Sequence, residues 1–476
     1  MTAGRIISFL IISALFIGLF SGSGCANIVP PSGGPRDSLP PVPVSATPKD
    51  SATMVKEQKI TITFDEFVEL KEPNQKVIIS PYPVKDAVIE SKLRTVTVRL
   101  KDSLLPNTTY NINFGDAIVD LNEGNILKDF QYSFSTGASI DSNELSGKVI
   151  LAETGKTDST MFALLYRKEE DSTVYKEKPM YVARVDGQGN FRFNNLPTGK
   201  FYVYALRDED GNKKYTQGIE QFAFLDSTVM VSTNTAAVQL YAFATEKERQ
   251  KSTATQDTKR GLVVSSNLEG NALDFLDTFR LIYTKPIRSY DLSKIRLQQD
   301  STKFITDFTI VNDSVRKQLL FNYAWKSGGT YKLYLDKDYA ADTSGLKSLK
   351  NDTLSFRVKT EKEYGTLRIR FKELDTAAHP VLIFYNNDQI VGRYPLTGKE
   401  FYRAQFKPGS YKLGLLFDTN RNGVWDPGDY FAKPKRQPEL VQPLNYSVTV
   451  KENWDNELVV EPGKAQSNTN KAPERQ

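Results

Sequence analysis

The chain has 476 residues, 62 Lys and Arg against 57 Asp and Glu, a net charge of +5, one cysteine and one histidine. The basic residues are interleaved with acidic ones and form no stripe, which excludes the electrostatic footprint of a nucleic-acid binder. One cysteine excludes an intrachain disulfide framework. Ser-His-Asp or Cys-His catalysis would have to use His379 or Cys25, both poor candidates for it.

In chain order, Met1 to Arg5 carries one positive charge, Ile6 to Phe20 is uncharged and rich in Ile, Leu and Phe, and Ser21-Gly22-Ser23-Gly24 leads into Cys25. This is the order of a secretory signal. The apolar run falls short of the roughly 20 residues a bilayer span needs. The segment resembles a bacterial lipoprotein signal, with Gly22 where that motif usually has Leu. The resemblance implies cleavage after residue 24 and acylation of Cys25. Residues 25–39 follow as a Pro/Gly-rich tether, with Pro30, Pro31, Gly33, Gly34 and Pro35. Such a stretch forms neither a helix nor a central strand. Ala26, directly after the cysteine, resembles lipoproteins sent to the outer membrane, and no acidic cluster of a surface-export type follows. The expected location is the outer membrane, on its periplasmic face, with the membrane engaged through the lipid.

Beyond the tether, strands dominate. Ile60, Ile62 and Phe64 alternate with Lys59, Thr61 and Thr63. Tyr110, Ile112 and Phe114 alternate with Asn111 and Asn113, and Leu367, Ile369 and Phe371 with Arg368 and Arg370. A period of two with one polar face marks a half-buried strand. Turns such as Asp186-Gly187 and Asn386-Asn387-Asp388 separate the runs. The expected fold class is all-β, built as sandwiches.

The pattern also repeats. Gly199-Lys-Phe-Tyr-Val-Tyr-Ala-Leu-Arg-Asp208 matches Gly409-Ser-Tyr-Lys-Leu-Gly-Leu-Leu-Phe-Asp418, and Phe191 and Phe401 share the offset of 210. Ile62 to Val68 matches Leu281 to Ile287. Leu105-Pro-Asn-Thr-Thr-Tyr110 matches Lys326-Ser-Gly-Gly-Thr-Tyr331, and Asp120 falls opposite Asp342. The expected order is A-B-A-B: four tandem sandwiches over 40–138, 144–243, 261–361 and 364–461, with a polar linker at 244–260 and a disordered polar tail at 462–476.

Pro48-Lys-Asp-Ser-Ala52, Ile62-Thr-Phe-Asp-Glu66, Leu105 to Tyr110, Asp120 to Asn125 and Tyr132-Ser-Phe-Ser-Thr136 together resemble a bacterial Ig-like domain of the surface-layer-protein type. Asp186-Gly-Gln-Gly-Asn-Phe191 with Leu196-Pro-Thr-Gly-Lys-Phe201 resembles a carboxypeptidase-regulatory or transthyretin-like sandwich. The third domain is the most degenerate copy. The chain as a whole resembles multi-domain Gram-negative lipoproteins of this build. In Ig-type sandwiches a corner tyrosine bonds to the backbone just upstream. Tyr110 and Tyr331 are expected to act in that way.

One segment carries chemistry. In Asp418-Thr-Asn420-Arg-Asn422-Gly423-Val-Trp-Asp426-Pro-Gly-Asp429, oxygen side chains stand at calcium-loop spacing around a sharp glycine turn. Two readings stay open: a calcium loop held by Asp418, Asn420, Asn422, Asp426 and Asp429, or an Asx-rich turn that satisfies its own backbone. The earlier copy keeps Asp208, Asp210 and Asn212 but has Lys213 in place of the glycine. Its ammonium could neutralise the carboxylates without metal. The expected function is non-enzymatic: a lipid-anchored envelope protein that presents four sandwiches in series for protein binding or envelope structural assembly, its expected partner another envelope protein or a glycan. The alternative is a glycan-binding or adhesive surface lipoprotein, for which Trp325, Trp425 and Trp454 are the aromatics to test. Nucleic acid is not an expected partner.

Overall fold

In a computed structural model of the chain, the described residues are 36–168, 170–246, 262, 264–300 and 303–464. Cys25, the signal, most of the tether and linker, and most of the tail lie outside them. The fold is all-β, with short 3-10 and single-turn helices between strands. Among the described residues, no helix is long and apolar enough to cross a membrane.

Residues up to 140 form one compact unit and residues from 141 a second. In the first unit, Lys59–Phe64 lies between the strands Pro43–Thr47 and Thr95–Arg99, and Val88–Lys92 completes the sheet. The opposing sheet is Gln131–Ser135, Thr109–Asn113 and Ile78–Ser80. Ile60, Ile62, Phe64, Val96 and Val98 from one sheet meet Ile112, Tyr132 and Phe134 from the other in a single core. The alternation read from the sequence is the physical cause: every second side chain faces inward, and burying each large one contributes about 1.5–3 kcal/mol.

The same strand order recurs within the second unit. The sheet Val264–Ser266, Phe279–Tyr283, Gln318–Asn322, Thr309–Asp313 repeats the first sheet. It covers a core with Leu281, Phe321, Leu333 and Phe356. The other architecture also occurs twice. Asn143–Leu151 pairs antiparallel with Asn190–Leu196 and parallel with Val238–Ala242. Gly365–Phe371 does the same with Glu400–Phe406 and Asp455–Val460. Facing these are Tyr181–Arg184, Phe162–Tyr166, Gly199–Leu206 and Phe222–Phe224 in the earlier copy. In the later copy they are Gln389–Pro395, Pro380–Asn386, Gly409–Phe417 and Leu440–Val450.

The corner tyrosines make matching bonds. Leu105 N–H donates to the Tyr110 hydroxyl at 2.8 Å, and Lys326 N–H donates to that of Tyr331 at 3.0 Å. Asp120 and Asp342, both buried, close equivalent loops. Asp120 accepts from the N–H groups of Asn122 and Glu123, and Asp342 from those of Ser344 and Leu346. Burial pushes the Asp342 carboxyl up, but these donors and the Ser344 hydroxyl outweigh it and hold its pKa below the usual value.

The arrangement departs from four sandwiches strung in series. The second and fourth are docked. Tyr204 and Tyr430 share a hydroxyl–hydroxyl bond of 3.1 Å, and the Tyr430 ring stands edge-on to Phe222 and Phe224, centroids 5.3 and 5.2 Å away. Val441 N–H donates to Ala152 O at 2.8 Å, and Lys435 pairs with Asp171 at 2.6 Å. Two glycines allow this approach. A Cβ on Gly155 would lie 2.1 Å from Pro443 Cδ, and one on Gly428 would lie 2.7 Å from the Phe243 ring. The third sandwich is fastened to the fourth by Tyr364, whose hydroxyl donates to Asp274 at 2.5 Å and accepts from Phe275 N–H at 2.8 Å.

Three outcomes are expected. Tyr110→Phe should lower the stability of the first sandwich by about 1 kcal/mol, the worth of one hydrogen bond, while an unchanged melting curve would show the clamp to be idle. Tyr430→Ala should cost about 3 kcal/mol or more and split the calorimetric transition shared by the second and fourth sandwiches. The depressed pKa of Asp342 contributes stability above the unfolded value of about 3.9, which is lost as pH falls through the native value. Asp342→Asn should therefore be less stable at neutral pH and show a flatter acid limb, read by urea melts across pH.

Candidate functional site

The second and fourth sandwiches each send a strand into an acidic loop, and both loops lie beside the docked face. In the later copy, buried Asp418 accepts from Asn422 N–H at 3.2 Å and Gly423 N–H at 2.7 Å. Asn420 and Asn422 donate their side-chain amides to Asp426 Oδ2 at 2.7 and 2.6 Å. Asp429 instead accepts from Phe431 and Ala432 N–H, both at 3.0 Å. Gly423 takes a φ of 78°, the left-handed turn that its sequence position implied. Asp418, Asn420, Asn422 and Asp426 thus come together in one hydrogen-bonded loop, and Asp429 caps the next turn.

The loop is closed by Glu439. Its carboxylate, largely buried, accepts from Thr419 N–H at 2.7 Å and Asp426 N–H at 3.1 Å, and its backbone oxygen accepts from Trp425 Nε1 at 2.7 Å. In the earlier copy, Arg207 N–H bonds Gln221 O, just as Phe417 pairs with Leu440. The offset of 210 between the outgoing strands then makes Glu220 the counterpart of Glu439. Glu220 has no exposed surface and accepts from Thr216 and Gln217 N–H, both at 2.9 Å. Sequence reasoning missed both glutamates. Their signal was there: each is an acid set directly before an apolar strand, Glu220-Gln-Phe-Ala-Phe and Glu439-Leu-Val.

Between the loops lies a cleft of about 480 Å³, lined by Tyr215, Thr216 and Gln217 on one side and Asp429, Phe431 and Arg436 on the other. The Tyr215 and Phe431 rings are nearly parallel, 5° apart with centroids at 6.2 Å, and half of Phe431 is exposed. The Tyr215 ring also stacks on Phe222 at 4.2 Å, which fixes its position. Burial raises the pKa of the Tyr204, Tyr215 and Tyr430 hydroxyls, so all three stay protonated at neutral pH.

The other sequence candidates are dispersed. His379 ends a 3-10 turn, and its Nε2 accepts from Arg421 Nε at 3.1 Å. Trp325 packs in the third core, Trp425 is pinned by Glu439, and Trp454 is exposed with Lys451 Nζ 5.0 Å from its ring. The tryptophans therefore do not form one coplanar platform. The aromatics that line the cleft are Tyr215, Tyr430 and Phe431.

Comparison with known proteins adds one family. Residues 37–136 match the bacterial Ig-like domain. The solved structures most similar to the chain include the Bacillus anthracis TIE protein, at 12% identity and a TM-score of 0.17, over 90% of this chain and 76% of that one. BcpA, the major pilin subunit of Bacillus cereus, matches at 11% identity and 0.16, over 68% of this chain and all of that one. The N-terminal part of the bacterial S-layer protein SbsC matches at 15% identity and 0.16, over 44% and 45%. None of these likenesses carries a function over. A search of curated proteins finds no significant match.

Proposed function

We propose that this chain is a non-enzymatic binding protein of the bacterial envelope, held to the outer membrane by acyl chains on Cys25 and turned to the periplasm, that presents its sandwiches to another envelope protein. The observation that carries the reading is the cleft between the second and fourth sandwiches. Docking fixes its walls, so little conformational entropy is lost on binding. In the later loop Asp418, Asp429 and Glu439 accept backbone N–H groups, which holds that wall in place. The Ig-like match over 37–136 supports an envelope setting.

A second reading is a glycan-binding or adhesive lipoprotein. The half-exposed Phe431 ring beside Asp429, Arg436 and Gln217 favours it, because sugars offer apolar faces to aromatic rings and hydroxyls to such polar groups.

Cys25→Ser should move the protein from the membrane to the soluble fraction; one acyl chain alone anchors weakly, and durable anchoring takes more than one. A photo-crosslinking phenylalanine analogue at position 431, activated in intact cells of the source bacterium, should capture a defined envelope protein identified by mass spectrometry. Capture of polysaccharide instead would support the second reading. Capture of neither, with the anchor intact, would remove the cleft as a recognition site.

A further inference from the structure

Among the described residues, one group of acids converges closely enough to hold a metal ion: Asp208, Asp210 and Glu220, each offering an oxygen within 4.8 Å of the others. It lies in the earlier loop, where the sequence pointed to the later one. Asp208, Asp210 and Asn212 stand at the first, third and fifth positions, and Lys213 takes the left-handed φ of 59° that Gly423 takes in its counterpart.

The charges do not balance. Lys213 Nζ lies 2.5 Å from Asp208 Oδ2 and 4.3 Å from the Phe162 ring centroid, so it serves one carboxylate. Lys214 is turned away, its Nζ on Lys176 O at 2.8 Å, and Arg207 is paired with Glu209 and Asp158. Asp210 accepts from the neutral groups of Asn212, Thr216 and Gln217 and lies against the Asp208 carboxyl, and among the described residues no cation of the chain is recorded on it. Most telling is Glu220. Its Oε2 accepts two backbone N–H groups, but its Oε1 is buried and makes no hydrogen bond. A carboxylate oxygen removed from water without a donor calls for a cation or a proton. Burial disfavours the charge of the Glu220 carboxylate, and the backbone N–H groups of Gln217, Thr216 and Glu209 all stand toward that carboxylate against it.

We propose that Asp208, Asp210 and Glu220 bind a divalent cation, of the calcium class by the hardness of an all-oxygen set, with Lys213 as a tethered competitor for Asp208. The ion satisfies Glu220 Oε1 and offsets the two uncompensated charges. Thr216 and Gln217, bonded to Asp210 and Glu220, form one wall of the cleft, so the ion would brace that wall. The inference rests on this loop's geometry and stands apart from the identity of any envelope partner.

The test is calorimetric titration of the full chain, stripped with chelator and held in detergent near neutral pH, with calcium chloride. One ion per chain is expected. Binding should be lost in Asp210→Asn and Glu220→Gln, retained in Asp418→Asn, and tighter in Lys213→Gln. Circular dichroism checks that each variant folds, and should Glu220→Gln not fold, Asp210→Asn at its exposed position decides. Absence of heat in the wild type at millimolar calcium overturns the proposal, as does binding that survives in a folded Asp210→Asn or Glu220→Gln chain, or that vanishes in Asp418→Asn.

Discussion

The packing of Tyr204, Phe222 and Phe224 against Tyr430, and of Tyr215 against Phe431, is the contact on which the second unit depends. It makes one body of two sandwiches that are far apart in the chain. The acidic loops come to lie side by side because the strands that carry them are docked. The fourth sandwich is also gripped by the third, through Tyr364 on Asp274 and Phe275. It therefore acts as a hub. Without that aromatic face, the cleft walls would belong to independent bodies and would define no fixed surface.

A second constraint recurs at smaller scale. Each long loop folds around a buried or half-buried acid that collects backbone N–H groups: Asp120, Asp342, Asp418, Glu220 and Glu439. A loop has no ladder to satisfy its backbone, and a carboxylate accepts several donors at once. These acids thus each tie a loop to its own backbone. Glu220 differs because one of its oxygens is left over.

Much of this was legible in the sequence. Alternation at Ile60, Ile62 and Phe64 gave the half-buried strands, and the shared offsets of Asp208 and Asp418, and of Tyr110 and Tyr331, foretold a recurring strand order. The docking was not foreseen, although it left a trace. Tyr202 to Leu206 and Leu413 to Phe417 break the period of two with unbroken apolar runs, the mark of a strand covered on both faces. One face of each run enters its own core, and the outer face packs elsewhere: Tyr204 against Tyr430, and Leu416 with Val381, Ile383 and Val441. Periodicity shows that a second face is covered but does not name what covers it. For a related reason, the converging acids Asp208, Asp210 and Glu220 were not singled out. Spacing along a loop favoured the glycine-bearing copy, whereas convergence depends on Glu220, which arrives from the far side of the loop.

The most direct measurement of the docked arrangement is a cross-link across it. Lys156 of the second sandwich and Asp388 of the fourth, both exposed, are 3.7 Å apart as an ion pair. With Cys25 replaced by serine, the chain carrying Lys156→Cys and Asp388→Cys can be treated with a short bifunctional thiol reagent at low protein concentration. Rapid, near-complete intramolecular linkage, abolished by Tyr430→Ala, is the predicted result. Slow or negligible linkage in the otherwise intact chain would mean that the two sandwiches move independently, and the fixed cleft would have no basis.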